Sequence, residues 1–487
     1  MVDQAHRDAP EVPLSPRRRT AALVVLLIGL GMDVLDGSIL YVALPTIQRD
    51  LSASGSHLQW LAAGYALPFA LAMITGSRLG DIHGRRRVFL FGMVLFSATS
   101  LVCGLAGSVE VLIAARVAQG LAAALMVPQV MATIQVMYPP GRRGIAIAAS
   151  SAVFAVTTVF GPVLGGLLLS LDIADLGWRV IFLVNVPICV LAAVATLMLV
   201  PESRASSAIR LDLVGVLLAT LGMVALLYPL IVGAEQGWPL WSVVTLVLSV
   251  PLLALFVLHQ RRRHSSPLVE LSLFARRSFT GGLVVMMLCM GGVSGFSLVF
   301  TIYLQSGLGY DALAAALTQM PWGLAAAVFA VLSIGVLAPR LGRRVVAIGM
   351  AVTIVGMTAL VGVTMTADGS TGGLVFLVPL ALGGAGMGMG VALVFDFALH
   401  DVPVADAGSA SGLLNTLQQV SIAMGVALVG ALYFVLLPGT DPAAPAAEAA
   451  GSALSATVLL PLAMIAVALL AVRALPRFAT QKEDDAA

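Results

Sequence analysis

Two aspartates stand out because they interrupt an apolar run that is long enough to cross a membrane. Asp33 and Asp36 lie within residues 20–45, and a helix needs about 20 apolar residues to span a bilayer. A charged carboxylate at the centre of a membrane costs at least about 2.5–3.5 kcal/mol. The two aspartates are three residues apart and therefore share one face of a helix. We predict that this helix lines a transport path and that one or both aspartates carry a proton.

Arg116 is the basic residue with which these carboxylates can interact, because it also lies inside an apolar run. Counted from the same side of the membrane, Asp36 lies about 13 Å deep and Arg116 about 11 Å deep, at 1.5 Å per helical residue. We therefore predict that Asp36 and Arg116 face the same cavity and interact. The alternative is a static buried ion pair that only holds two helices together.

The composition is that of a polytopic membrane protein. The chain has 487 residues, of which 60% are hydrophobic and 10% charged, whereas a soluble domain has about 25% charged residues. Apolar runs separated by short polar breaks predict an all-α fold with fourteen membrane-spanning helices. The net charge of +2 gives no indication of a nucleic-acid partner. The three cysteines lie in apolar runs, which favours packing over disulfides or metal binding, and we expect no metal.

Basic residues are distributed unequally between alternate breaks. If the N-terminus is cytoplasmic, all but three of the 26 Lys and Arg residues fall in cytoplasmic segments, as the positive-inside rule requires. The exceptions are Arg49, Arg116 and Arg179. Because fourteen is an even number, both termini are predicted to be cytoplasmic, in a multi-pass protein of the bacterial cytoplasmic membrane.

A short internal repeat indicates two similar halves. Gly84, Arg85 and Arg86 recur as Gly342, Arg343 and Arg344, in each case between two consecutive apolar runs. Repeated halves are typical of transporters that rock about a central site. We predict a cytoplasmic tail, a six-helix half, an inserted helix pair, a second six-helix half and another cytoplasmic tail, at residues 1–19, 20–200, 201–265, 266–475 and 476–487 respectively.

Six segments, in order along the chain, resemble motifs of one family, the major facilitator superfamily, and within it the 14-span drug:proton antiporters. The segments are LDGSILYVALP (35–45), SRLGDIHGRRR (77–87), RVAQG (116–120), FGPVLGG (160–166), GWRVIFLVNVP (177–187) and GSASGLLNTLQQ (408–419). The resemblance implies the major facilitator fold, with the first and fourth spans side by side. It also implies proton coupling through Asp36, to which we add its neighbour Asp33 and its predicted partner Arg116.

The resemblance assigns roles to two further motifs. The loop after the second span is implied to latch the two halves at the cytoplasmic face, although its arginines could simply fix topology; its residues are Gly80, Asp81, Gly84, Arg85 and Arg86. The fifth span is implied to carry the antiporter motif, in which glycines allow close helix approach and proline kinks the helix. Its residues are Gly161, Pro162, Gly165 and Gly166, and ordinary glycine-rich packing is the alternative.

Four amides are predicted to line a substrate cavity. Gln119 lies one turn from Arg116, and Asn415, Gln418 and Gln419 share one face of the thirteenth span. Polar faces on two helices indicate a wet central cavity, or else hydrogen bonds between helices, which are worth about 0.6 kcal/mol on average.

Together these observations predict a proton-coupled antiporter that exports amphiphilic small molecules, such as an antibiotic, a biocide or a dye, by alternating access. No phosphate-binding loop or catalytic constellation is present, so we expect neither ATP hydrolysis nor enzyme activity, and no cofactor besides protons. The expected partners are a small-molecule substrate and the lipid bilayer, and we expect a monomer. Two alternatives are a proton symporter that imports a nutrient and a membrane receptor or scaffold that does not transport.

Overall fold

The structure is a computed structural model that describes residues 15–204, 211–233, 235–263, 267–403, 406–437 and 446–478. Fourteen of its helices are long and apolar enough to cross a membrane. The prediction of an all-α fold with fourteen spans is therefore confirmed. Most of the two predicted tails, and parts of the segment 201–265, lie outside the described residues.

The fourteen spans are numbered in chain order. They are α1 (Pro16–Leu51), α2 (Gly55–His83), α3 (Arg85–Gly104), α4 (Val109–Met137), α5 (Arg143–Leu171), α6 (Gly177–Leu199), α7 (Leu213–Val232), α8 (Leu240–Arg262), α9 (Arg277–Gly307), α10 (Ala312–Leu341), α11 (Arg344–Thr364), α12 (Gly373–Leu399), α13 (Ser409–Leu436) and α14 (Ala447–Ala474).

Local sequence explains where several of these helices begin. Ser54 and His57 form a reciprocal capping box at the start of α2, and the Ser108 hydroxyl accepts a hydrogen bond from the backbone of Val111 at the start of α4. Such caps satisfy backbone donors that the first helical turn leaves unpaired. Between α2 and α3 the chain turns at Gly84, whose φ of 109° is accessible to glycine without a steric penalty.

The packing of the spans falls into two groups. In the first group α2 and α3 pack on α4, and α1 packs on α5. In the second group α10 and α11 pack on α12, and α9 packs on α13 and α14. The pair α7 and α8 pack chiefly on each other, and α7 also touches α2 and α13. The two groups meet mainly where α2 contacts α13 and where α5 contacts α10.

The two groups are in close contact near one end of the bundle. We call the end that carries Arg85–Arg87 and Arg343 the basic end, and the other end the opposite end. Near the opposite end, Gly166 of α5 lies against Leu313 of α10. Toward the basic end of the same two helices, Ile145 is 75% exposed and Val331 is 72% exposed. The contact between α5 and α10 is therefore close near the opposite end, and exposed apolar side chains lie on both helices toward the basic end.

Candidate functional site

Asp36 of α1 and Arg116 of α4 form a buried ion pair. Arg116 Nη1 donates to Asp36 Oδ2, and both side chains are 1% exposed. Arg116 Nε donates to the backbone carbonyl of Leu61 on α2 at 3.2 Å. The structure thus brings the two predicted residues into direct contact. It places them inside the α1–α4 packing, and not across an open cavity.

Two amides complete the surroundings of the Asp36 carboxylate. Gln119 Nε2 donates to Asp36 Oδ1 at 2.9 Å, and Asn185 Nδ2 of α6 donates to the same oxygen at 2.8 Å. Both amides also donate to the hydroxyl of Ser100 on α3, at 2.7 and 3.2 Å. Asp36 therefore accepts hydrogen bonds from three side chains, those of Arg116, Gln119 and Asn185.

The assignment of Gln119 to the substrate cavity stays a prediction, and in this structure its side chain lies in the packing around Arg116. Its side chain is fully buried, and its Oε1 accepts a hydrogen bond from Arg116 Nη1 at 2.7 Å. The one-turn spacing correctly indicates that it shares a face with Arg116. That face, however, is turned toward Asp36 and Ser100, because the rotation of α4 is set by its packing against α2 and α3.

Asp33 joins the same cluster through a tyrosine. The hydroxyl of Tyr65 on α2 donates to Asp33 Oδ1. The Tyr65 ring also lies beneath the Arg116 guanidinium, whose central carbon is 4.3 Å from the ring centroid, a favourable cation–π geometry. Asp33, Tyr65, Arg116 and Asp36 are thus connected in sequence. We refer to these four residues with Ser100, Gln119 and Asn185 as the Asp36 network.

Sequence reasoning missed three members of this network. Asn185 lies within the segment GWRVIFLVNVP. A lone amide inside an apolar span indicates a polar contact in the bundle, because buried polar groups in membranes need partners. Tyr65 and Ser100 offered no comparable signal, because tyrosine and serine are common in transmembrane helices. Their roles emerge only when α2 and α3 are placed around Arg116.

The polar face of α13 is separate from the Asp36 network. Asn415 is exposed and donates to the carbonyl of Ser411 on its own helix at 3.0 Å. Gln418 and Gln419 are half-buried, and Gln418 Nε2 approaches Met290 Sδ of α9 at 3.8 Å. All three amides therefore remain accessible on α13. Their assignment to a substrate cavity stays a prediction.

The glycines of α5 allow two close helix contacts. A Cβ at Gly161 would lie 2.1 Å from Ser38 Oγ, and one at Gly165 would lie 2.9 Å from the Ile39 side chain, so these glycines admit α1. A Cβ at Gly166 would lie 2.7 Å from Leu313 Cα of α10. The half-buried Pro162 lies between them on the same helix. Helix α5 thereby connects the helix that carries Asp36 to the second group of spans.

Comparison with known proteins identifies the family. Residues 26–426 match the Major Facilitator Superfamily. The chain belongs to the Major Facilitator Superfamily. It is 41% identical over 426 residues to a "Probable actinorhodin transporter" of Streptomyces coelicolor, covering 86% of this chain and 73% of that protein.

Other relatives agree in family and fold. The "Tetracenomycin C resistance and export protein" of Streptomyces glaucescens is 33% identical over 414 residues, covering 84% of this chain and 75% of that protein. A solved bacterial homologue of the human lysosomal transporter Spinster has a TM-score of 0.68 at 18% identity, covering 94% of this chain and 98% of the other. This last likeness shows the fold alone.

The α2–α3 loop of this superfamily member is held within its own half. Asp81 pairs with Arg85 at 2.8 Å, and Arg85 Nη1 also reaches the carbonyl of Ala132 on α4 at 3.4 Å. Gly80 gives close access to α4, because a Cβ there would lie 1.9 Å from Gln129 Oε1. The predicted latch to the second half stays a prediction, since the described partners of Asp81 lie in the first half.

Glu202, which follows α6, binds the α2–α3 loop, and this contact was not predicted from the sequence. Its carboxylate accepts a hydrogen bond from the backbone N–H of Arg86 at 3.1 Å, at the start of α3. It also lies 3.8 Å from Arg86 Nε and 3.6 Å from Arg87 Nε. A carboxylate is favoured at a helix N-terminus by the helix dipole. Glu202 and Asp81 therefore neutralise the arginines of the first copy of the repeat.

Another buried carboxylate, Asp212, holds the helix pair α7 and α8 together. It caps α7 by accepting from the Gly215 N–H at 2.9 Å, and it accepts from Gln260 Nε2 of α8 at 2.8 Å. It also contacts His259 at 3.0 Å and Arg263 at 3.2 Å. Burial alone would raise the pKa of Asp212, but the hydrogen bonds outweigh burial and lower its pKa to about 2. The cluster has a structural role at the start of α7.

Among the residues that the structure describes, no group of three or more His, Cys, Asp or Glu side chains could hold a metal ion. The groups present in the Asp36 network are carboxylates, an arginine, amides and hydroxyls. Such groups can exchange a proton and form or break an ion pair.

Proposed function

We propose that this protein is a proton-coupled antiporter that exports an amphiphilic small molecule across the bacterial cytoplasmic membrane. The observation that carries the proposal is the buried Asp36–Arg116 pair within the membrane-spanning bundle. Ionisable residues in such positions mark ion and substrate pathways. Relatives at 33–41% identity carry names that describe transport or export of antibiotics, which supports export over nutrient uptake.

The proposal places the basic end of the bundle in the cytoplasm, following the positive-inside rule. Both termini then lie in the cytoplasm. We take the conformation of the structure to be open toward the cytoplasm and closed toward the outside. Substrate would enter between the two groups of spans from the cytoplasm, past the accessible amides Asn415, Gln418 and Gln419 of α13.

Proton binding at Asp36 would be the step that changes the conformation. A proton on the Asp36 carboxylate removes its charge, which weakens the ion pair with Arg116. The guanidinium then keeps its contacts with Gln119, the Leu61 carbonyl and the Tyr65 ring. Asp33 is connected to Arg116 through Tyr65 and can respond to the same change. Helix α1 packs on α5, and α5 packs on α10. A shift of α1 is thereby passed to the contact that closes the opposite end.

The loop after α2 would act in the other conformation. When the basic end closes, Asp81 can leave Arg85 and dock near the start of α13, which begins at the same end. Glu202 would keep Arg86 and Arg87 neutralised during this exchange. Gly84 allows the loop to keep its turn.

The proposal is tested by expressing the chain in a pump-deficient bacterial host. Susceptibility is measured for cationic, neutral and anionic amphiphilic antibiotics and dyes, with and without a protonophore. We expect resistance to at least one class, abolished by the protonophore and by Asp36→Asn at equal protein level. Unchanged susceptibility to every class would contradict export.

A matched control comes from the same helix. Asp50, near the opposite end of α1, pairs with Arg179 at 2.9 Å, with a side chain that is 45% exposed. Asp50→Asn also removes an aspartate–arginine pair from α1, but far from the centre of the bundle. We expect Asp50→Asn to keep resistance. If both variants lose resistance equally, a general effect on α1 explains the loss, and the role given to Asp36 is wrong.

A further inference from the structure

The second copy of the repeated loop encloses a cavity lined by arginines. The cavity has a volume of about 350 Å³ and is lined by Arg340, Leu341, Arg343, Arg344, Arg477 and Phe478. It lies at the basic end, where α10 ends, α11 begins and the chain leaves α14. We refer to it as the arginine pocket.

The two copies of the loop share a glycine with positive φ and a matching backbone hydrogen bond. Gly84 and Gly342 both have positive φ, 109° and 56°. The N–H of Arg85 donates to the carbonyl of Ser203 at 2.9 Å, and the N–H of Arg343 donates to the carbonyl of Arg477 at 3.0 Å. Each loop is therefore tied to the chain segment that follows the last helix of its own half. Side chains at matching positions can be compared directly.

The comparison shows that the carboxylates of the first copy are missing from the second. Pro339 stands where the first copy has Asp81, and Pro476 stands where it has Glu202. In the first copy these two acids pair with Arg85, Arg86 and Arg87. In the part of the chain that the structure describes, no carboxylate pairs with an arginine of the pocket.

One arginine shapes the pocket and three remain available. Arg343 is half-buried, and its Nη1 donates to the carbonyls of Arg473 at 2.9 Å and Leu475 at 2.6 Å. These bonds fix the segment after α14 beside the loop. Arg340, Arg344 and Arg477 are exposed at the rim. Guanidinium groups bind phosphate oxygens through paired N–H donors, so three of them around one concave site favour a phosphate group.

The surroundings of the pocket favour a lipid as the source of that phosphate. Ile334 and Val336, in the last turns of α10, are 55% and 43% exposed, and Phe478 is 40% exposed. Apolar side chains beside a basic pocket suit the acyl chains of a lipid whose headgroup is bound. Basic pockets at the cytoplasmic ends of membrane helices bind anionic headgroups. We propose that the arginine pocket is a binding site for the phosphodiester headgroup of an anionic phospholipid.

The test uses the purified, delipidated full-length chain in detergent, with native mass spectrometry as the readout. Phosphatidylglycerol is the probe, and phosphatidylcholine and inorganic phosphate are the comparison ligands. The pocket variant is R340Q/R344Q/R477Q, which spares the structural Arg343. The matched control is R87Q/R261Q/R262Q, which removes the same charge from three exposed arginines at the same end.

We expect the unmodified chain and the control variant to retain phosphatidylglycerol in preference to phosphatidylcholine. Each arginine near an anionic headgroup contributes about a fivefold gain in affinity, so the pocket variant is expected to bind roughly a hundredfold more weakly. Equal binding by the pocket and control variants would overturn the proposal, because the effect would then follow net charge and not the pocket.

Two other results would also overturn it by naming a different occupant. If inorganic phosphate binds and phosphatidylglycerol does not displace it, the site takes a soluble anion. The sequence carries Glu483, Asp484 and Asp485 shortly after Phe478. If phosphatidylglycerol binds only to E483Q/D484N/D485N, the acidic end of the chain occupies the pocket in place of lipid.

Discussion

The strength of the Asp36–Arg116 interaction can be measured with a double-mutant cycle. Asp36→Asn leaves the Arg116 charge buried among neutral groups, namely Gln119 Oε1, the Leu61 carbonyl and the Tyr65 and Phe182 rings. Arg116→Gln leaves a buried carboxylate with two amide donors. Removing one partner of a buried ion pair costs about 3–5 kcal/mol, because the other charge remains without compensation.

The double variant D36N/R116Q is expected to be much less affected than the sum of the two single variants. It buries no charge, and its two amides can bond with Gln119, Asn185 and Ser100. Replacing both members of a buried pair is often close to neutral. We therefore expect a coupling free energy of at least about 3 kcal/mol, whereas a solvent-exposed pair gives about 0–1 kcal/mol.

The assay is the free energy of unfolding of the four purified chains at neutral pH, measured by titrating detergent micelles with SDS. Additive effects of the two single changes, or a coupling below about 1 kcal/mol, would refute the reasoning, because they would show that the pair is solvated. Circular dichroism of each variant before titration verifies that all four start from the same helical content.

Three further predictions concern residues outside the network. Gly166→Val should bring side-chain atoms against the backbone of α10 and destabilise the closed opposite end by about 1–3 kcal/mol. Labelling of a cysteine introduced at that end should therefore rise about 5–150-fold. Gly144→Val, at a position where a Cβ has no neighbour within 4 Å, should leave the labelling unchanged. Gly84→Ala should lower the free energy of unfolding by about 1–3 kcal/mol, because alanine is strained at a φ of 109°. Gly107 has neither a positive φ nor close neighbours, so an equal loss of unfolding free energy in Gly107→Ala would contradict this. The pKa of Asp212 is lowered from its ordinary value of 3.8 to about 2. Its contribution of about 2 kcal/mol to the free energy of unfolding should therefore be present above about pH 4 and be lost as the pH falls toward about 2. The same pH dependence of the unfolding free energy in Asp212→Asn and the unmodified chain, from about pH 7 to 2, would refute this.

Much of the architecture could be predicted from the sequence because membrane spans are set by local composition. Long apolar runs give the fourteen helices, and the depth of each charge within its run indicated that Asp36 and Arg116 could meet. Both inferences depend on distance along a single helix. They need no knowledge of which helices are neighbours, beyond what the family resemblance supplied.

The rest of the site depends on helix neighbours and helix rotation, which a local pattern does not encode. Tyr65 and Asn185 reach the pair from α2 and α6, and no spacing along the chain connects them to Asp36. Gln119 faces Asp36 and Ser100, because the packing of α4 against α2 and α3 decides which side of that helix faces inward. Glu202 follows α6 and meets Arg86 only when the end of α6 is packed beside the start of α3.

The central claim is that Asp36 carries the coupled proton, and substrate-induced proton release tests it most directly. A compound exported in the susceptibility assay is added to the purified chain in a weakly buffered detergent solution that contains a pH indicator and has been acidified beforehand to protonate Asp36. Binding of the compound is measured in parallel by fluorescence. We predict that the unmodified chain releases a proton on binding, and that Asp36→Asn binds the compound without release. Proton release of equal size from Asp36→Asn would contradict the account.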